Sequence, residues 1–169
     1  MHLSAKGWFR AVCLCVLTAG GCAYYTLGGG VVGGLRTLAV PLARNETAEA
    51  GLAEQLTSRV EQAYAADGRL RVVDEDTAEG VLYLWVRQVE DRPFTYTADE
   101  VTEQYRFRME VQAEFVRTAD MDVVLELPEL YGWGTYDAVT ADDEGRDAAI
   151  EAAIQMLIEE LLGRSTSSW

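Results

Sequence analysis

The chain has 169 residues, 49% of them hydrophobic and 25% charged. That is the make-up of one folded domain and excludes a chain disordered throughout. Fourteen basic residues face 28 acidic ones, a formal net charge of −14, which argues against a nucleic-acid binder that must neutralise phosphates.

The first 22 residues read as an address. They hold the single histidine His2, the single lysine Lys6 and all three cysteines, Cys13, Cys15 and Cys22. Lys6 and Arg10 precede an uncharged apolar run at residues 11–19, followed by Gly20, Gly21 and Cys22. A positive start, a short apolar stretch and small residues describe a secretory signal. The apolar run is too short to span a bilayer, which takes about 20 residues. Small residues ending at a cysteine, Ala19-Gly20-Gly21-Cys22, look like a bacterial lipobox, with Cys22 as the lipidated residue. Ala23 in place of an aspartate points to the outer membrane, periplasmic face. Removing residues 1–21 leaves 12 arginines against 28 acids, a net charge of −16, with no His, Lys or free thiol.

Residues 22–34 form the lipidated cysteine and a Gly-rich tether, whose twelve residues after Cys22 reach roughly 40 Å when extended. The tether contains Gly28-x-Gly30-x-x-Gly33, the spacing of a dinucleotide fingerprint. That motif must follow a strand and open a helix; here it follows an anchor and precedes a strand, so no nucleotide is implied.

Residues 35–163 are expected to form one domain, followed by a polar tail at 164–169. Arg36–Leu42 is a short strand ending at Pro41. Leu52, Leu56, Val60 and Tyr64 share the apolar face of a helix over 45–66. Asn45 or Thr47 would cap it, and Asp67-Gly68 would stop it. The same Asn45-Glu46-Thr47 is a glycosylation sequon on paper, but a cap suits a bacterial chain better. Leu70–Val73 is a strand, residues 74–80 an acidic turn, and Val81–Val89 a strand covered on both faces. Residues 91–100 read as a polar loop carrying aromatics. Residues 101–115 alternate apolar and polar with period 2, a strand with one wet face. Met121–Leu127 is a further strand, interrupted by Pro128. In Leu130–Tyr136 small and aromatic residues alternate, so backbone and rings can approach closely. Thr140 caps a last helix striped by Ile150, Ala153, Ile154, Leu157, Ile158, Leu161 and Leu162, which Gly163 ends. The expected fold is α+β, a two-layer sandwich. Its sheet is mixed, mostly antiparallel, with four to five strands, and two helices lie on one face.

A mature chain without His, Lys or free Cys has no Ser-His-Asp, Cys-His or Ser-Lys site and no usual zinc site. The acid runs 74–76 and 142–144 read as solvated turns and caps. No catalytic residue, cofactor or metal ligand is therefore assigned. Arg106 and Arg108 share a strand face, where they either bind phosphate or, the better reading, pair across strands with Glu110 and Glu114.

The lipobox, the tether, the run Leu35–Thr47, Gly51-Leu52 with its helix, Leu70–Val73, Gly132-Trp133-Gly134 and the last helix occur in an order that resembles the lipopolysaccharide-assembly lipoprotein family LptE. The resemblance implies a non-enzymatic outer-membrane lipoprotein without a cofactor. Such a protein plugs the LptD β-barrel, helps it assemble and aids lipopolysaccharide transport to the surface. Direct binding of lipopolysaccharide would be weak in so acidic a chain. The alternative is an envelope lipoprotein serving a secretion pore or scaffold by sheet-edge pairing. Arg92, Phe94 and Tyr96 of the 91–100 loop are the candidate partner-binding residues, because loops on rigid scaffolds carry function.

Overall fold

The computed structural model describes residues 31–139 and 143–166. Cys22, the apolar leader, Gly28, Gly30 and the Thr140 cap fall outside these residues. The elements are β1 (Thr37–Ala39), β2 (Arg44–Asn45), α1 (Leu52–Asp67), β3 (Arg71–Val72), β4 (Gly80–Tyr96), β5 (Thr102–Arg117), β6 (Val123–Asp137) and α2 (Asp143–Thr166). The sheet runs β3-β1-β4-β5-β6, with β2 also beside β4. Pairings of β1 with β3 and β4, and of β2 with β4, are parallel. The hairpins β4–β5 and β5–β6 are antiparallel. This is the expected mixed α+β sandwich, with β2 making the strand count six.

The periodicities explain the layers. Phe107, Met109, Val111, Ala113 and Phe115 of β5 all have no exposure and line one sheet face. Leu52, Leu56, Val60 and Tyr64 of α1 and Ala149, Ala153, Ile154, Leu157 and Leu161 of α2 cover that face and join the same cluster. At 1.5–3 kcal/mol for each large aliphatic or aromatic side chain buried, this layer dominates the stability. The two helices close over one another at their C-termini. There the Tyr64 hydroxyl meets the Ser165 hydroxyl at 2.9 Å, and both residues are buried.

Four boundaries differ from the sequence reading. First, α1 starts at Leu52 behind Gly51, which sits at φ 77° with no side-chain cap. Asn45 instead builds its own turn: its Oδ1 accepts from the Thr47 N–H and hydroxyl, and its Nδ2 donates to the Glu49 carbonyl at 2.7 Å. An Asx turn competes with a cap for the same oxygen. The Gly68 stop stands, with φ 72° and its N–H bonded to the Tyr64 carbonyl.

Second, β4 does not yield to a loop at 91 but runs to Tyr96, paired with β5 throughout. Register shifts surround Phe94, which is the extra residue of a bulge beside Pro93. The turn is confined to 97–101, closed by the Thr97 N–H on the Val101 carbonyl. Third, β6 passes through Pro128, because Pro128 and Glu129 sit opposite Gln112 alone, a bulge on an edge strand. An edge bulge is where a sheet tolerates a missing donor. Fourth, Gly163 does not end α2, which continues to Thr166 because Ser165 is docked on Tyr64.

Candidate partner-binding surface

Both helices occupy one sheet face; on the opposite face Ala78 and Val73 pack with Val81 and Tyr83 at the start of β4, and among the described residues the rest of the β4–β5–β6 meander is uncovered there. The register sets who stands together there. Glu90 pairs with Arg108 and Arg92 with Arg106 across β4–β5. Glu110 pairs with Tyr131, Arg108 with Trp133 and Arg106 with Thr135 across β5–β6. The strand that buries Phe107 and Met109 inward therefore presents Arg106, Arg108 and Glu110 outward, and its neighbours supply aromatic rings.

Those rings bind the arginines. The Arg106 guanidinium carbon lies 3.7 Å from the Phe94 ring centroid and 4.6 Å from that of Trp133. Arg108 lies 4.2 Å from the Tyr131 ring. Each contact is worth about 0.5–1 kcal/mol at a partly exposed site. Glu90 holds Arg92 at 2.7 Å and Arg108 at 3.6 Å. The expected pairing of Arg106 and Arg108 with Glu110 and Glu114 does not occur: Arg108 takes Glu90, and Arg106 has no ion pair among the described residues. The Arg106 Nε is buried and donates to nothing there. Glu90, Arg92, Pro93, Phe94, Arg106 and Arg108 surround a recess of about 220 Å³.

The three candidate residues are thus part of a strand rather than a loop. Arg92 and Phe94 line this recess. Tyr96, 58% exposed, ends β4 beyond it. Sequence reasoning missed Trp133 and Tyr131 as members of the same surface. Their spacing of two on a strand was the signal, since i and i+2 share a face. What the sequence withheld was the register that sets them beside Arg106 and Arg108.

Behind the sheet a second polar cluster is structural. Arg146 of α2 forks onto Glu49 at 2.9 Å through both Nη atoms and also reaches Asp91 at 2.9 Å. The Tyr136 hydroxyl donates to Asp91 at 2.8 Å. The bonds from Arg146 hold the Glu49 carboxyl below the usual carboxylate range. Burial, with the hydrogen bond to Asp91, pushes the Tyr136 phenol up to about 12. A carboxylate whose folded pKa is depressed stabilises the fold above its unfolded value and loses that contribution as pH falls through the folded one. Melting temperature should therefore fall below about pH 4.3, and Arg146→Gln should flatten that acid limb. An unchanged limb in Arg146→Gln would remove Arg146 as its cause.

Among the described residues no helix is long and apolar enough to cross a membrane, and no cluster of three or more His, Cys, Asp or Glu could hold a metal.

Comparison with solved structures finds the same fold at low identity. Protein XCC0632 from Xanthomonas campestris superposes with a TM-score of 0.58 at 16% identity, over 78% of this chain and 83% of that one. A minor lipoprotein from Acinetobacter baumannii gives 0.51 at 14%, over 76% and 91%. Uncharacterized lipoprotein B from Nitrosomonas europaea gives 0.50 at 12%, over 77% and 79%. Comparison with curated proteins gave no match. The model of the family described as LptE, Lipopolysaccharide-assembly, matches residues 35–165, from just before β1 to the last turn of α2, and the chain therefore belongs to the LptE family.

Proposed function

We propose that this protein is a lipoprotein anchored through Cys22 at the periplasmic face of the outer membrane. In this reading it is a non-enzymatic plug and assembly partner of an LptD-type β-barrel in lipopolysaccharide transport. The observation that carries this reading is the family match, which takes in every strand and both helices. The fold is consistent with a plug: its core is complete behind one sheet face, and the other face offers partly exposed aromatics and arginines to a surrounding wall. The mature charge of −16 fits a barrel lumen with basic groups and predicts salt-sensitive association.

Sheet-edge pairing, the alternative, finds less support. Among the described residues, the distal half of β4 beyond Asn45↔Val86 has no strand on its outer side, and β6 is the other long edge. Each carries a proline and register shifts, at Pro93 and at Pro128. Prolines and bulges are the devices by which edges resist added strands.

Photo-crosslinkers placed across the domain in cells test the reading. The expected product is an adduct with a large outer-membrane β-barrel. If no position captures one, the plug reading fails and the scaffold reading replaces it. Separately, Cys22→Ser should move the protein from the membrane to the soluble periplasmic fraction. The intact mass of the wild-type membrane form should carry acyl chains on Cys22, and an unmodified thiol there would refute the anchor.

A further inference from the structure

Arginine is short in this chain, and almost all of it is spent on acids. Among the twelve arginines of the described residues, ten have an ion pair. The two without are Arg71, exposed on the edge strand β3, and Arg106, in the middle of the uncovered sheet face. With 28 acids in the chain, a central arginine left without one stands out. Arg106 is also held in place: the Phe94 and Trp133 rings both lie against its guanidinium, whose N–H donors lie along the edge of the plane. Arg106 lines the recess. Ring stacking leaves the charge intact and removes the rotamer freedom that an exposed arginine would otherwise lose on binding.

We propose that Arg106 is the receptor for a single carboxylate, an Asp or Glu side chain of a protein partner, delivered into the recess between Phe94 and Arg108. The ion pairing supports one carboxylate. Of the three arginines on the recess, Arg92 and Arg108 are held by Glu90, and Arg106 alone has no acid among the described residues. A planar carboxylate matches the guanidinium fork with two parallel hydrogen bonds. A phosphorylated lipid headgroup is the weaker candidate, because its tetrahedral oxygens match one planar fork less closely than a carboxylate does. The chain's −14 also opposes approach to an anionic lipid surface. The proposal rests on the barrel reading only for the identity of the partner. Within a lumen expected to be basic overall, it assigns one acidic contact.

The test uses the full-length chain in its membrane, with a photo-crosslinker at Thr135, which pairs with Arg106 on the same face. The expected adduct is a polypeptide whose captured segment contains an Asp or Glu. Arg106→Glu should cut its yield about tenfold, the scale for losing a charge-assisted hydrogen bond, and Arg106→Lys should retain most of it. Reversing the captured acid to Arg should restore the yield in Arg106→Glu. If Arg106→Glu does not fold, Arg106→Gln serves, with its melting temperature measured alongside. An adduct with lipid, or a yield indifferent to Arg106→Glu and Arg106→Gln, overturns the proposal. If other positions capture a barrel and Thr135 captures nothing, this proposal falls and the plug reading stands. If Thr135 captures an acidic segment of a protein that is not a barrel and no other position captures a barrel, the plug reading falls and the carboxylate receptor stands.

Discussion

Gly132→Ala is expected to destabilise the domain by about 3 kcal/mol, at the upper end for overpacking a well-filled core. A β-carbon at Gly132 would stand 2.0 Å from the Ala153 carbonyl oxygen, and one at Gly134 would stand 2.2 Å from that of Ala149. Both obstacles are helix backbone, which cannot swing away as a side-chain tip can. α2 must therefore lift off β6 or the strand must bend. Neither glycine has a positive φ, so the cost is steric and not conformational. Gly163→Ala is the control. It lies in α2 with open space around its β position, and alanine there should stabilise by about 0.5–1 kcal/mol through helix propensity. Equilibrium denaturation of soluble Cys22→Ser protein measures both against their parent. Gly132→Ala within 0.5 kcal/mol of its parent would mean that α2 does not sit this close.

The second large effect separates two neighbouring residues with unequal outcomes. Phe107→Ala should cost about 3–5 kcal/mol, the range for emptying a buried aromatic site. Phe107 has no exposure, faces Gly134 across the β5–β6 register and carries the Arg146 guanidinium 5.2 Å above its ring. Removing it opens a cavity under the first turns of α2. Arg106→Gln, one residue away, should cost only about 1–2 kcal/mol, the worth of two ring contacts, because it leaves the core untouched. The difference in urea midpoint between these variants is the readout. Similar midpoints would mean that β5 is not divided into a buried and a wet face.

That division was legible in the sequence, and so was most of the fold. The period of two over 101–115 set the faces of β5, and the stripes at Leu52–Tyr64 and Ile150–Leu162 set both helix faces. The alternation of small and aromatic residues at 130–136 foretold a close approach, which Gly132 and Gly134 supply to α2. Where the reading failed, a partner element decided. Residues 91–96 look like loop by composition, yet β5 offers a template long enough to hold them as strand, and the bulge at Phe94 absorbs the misfit of Pro93. Val101 extends the apolar alternation but stands 61% exposed, because the strand begins after it. Pro128 reads as a break until the edge position of β6 is known. The uncovered surface was half visible: Arg92, Phe94, Arg106 and Arg108 were each singled out, but only the strand register brings them around one recess and adds Trp133.

The meeting of Tyr64 and Ser165 ties α1 to the last turn of α2. α2 itself is the lid over β5 and β6, so no smaller stretch of sequence closes the apolar layer. A chain threaded across a membrane N-terminus first would leave that layer open until α2 had passed. Premature folding on the wrong side is then disfavoured by the order of elements alone, since an incomplete layer cannot offset its chain entropy. The same order sets a limit on truncation. A stop codon at 165 strips the buried phenol of its partner and frays the turn that shuts the core.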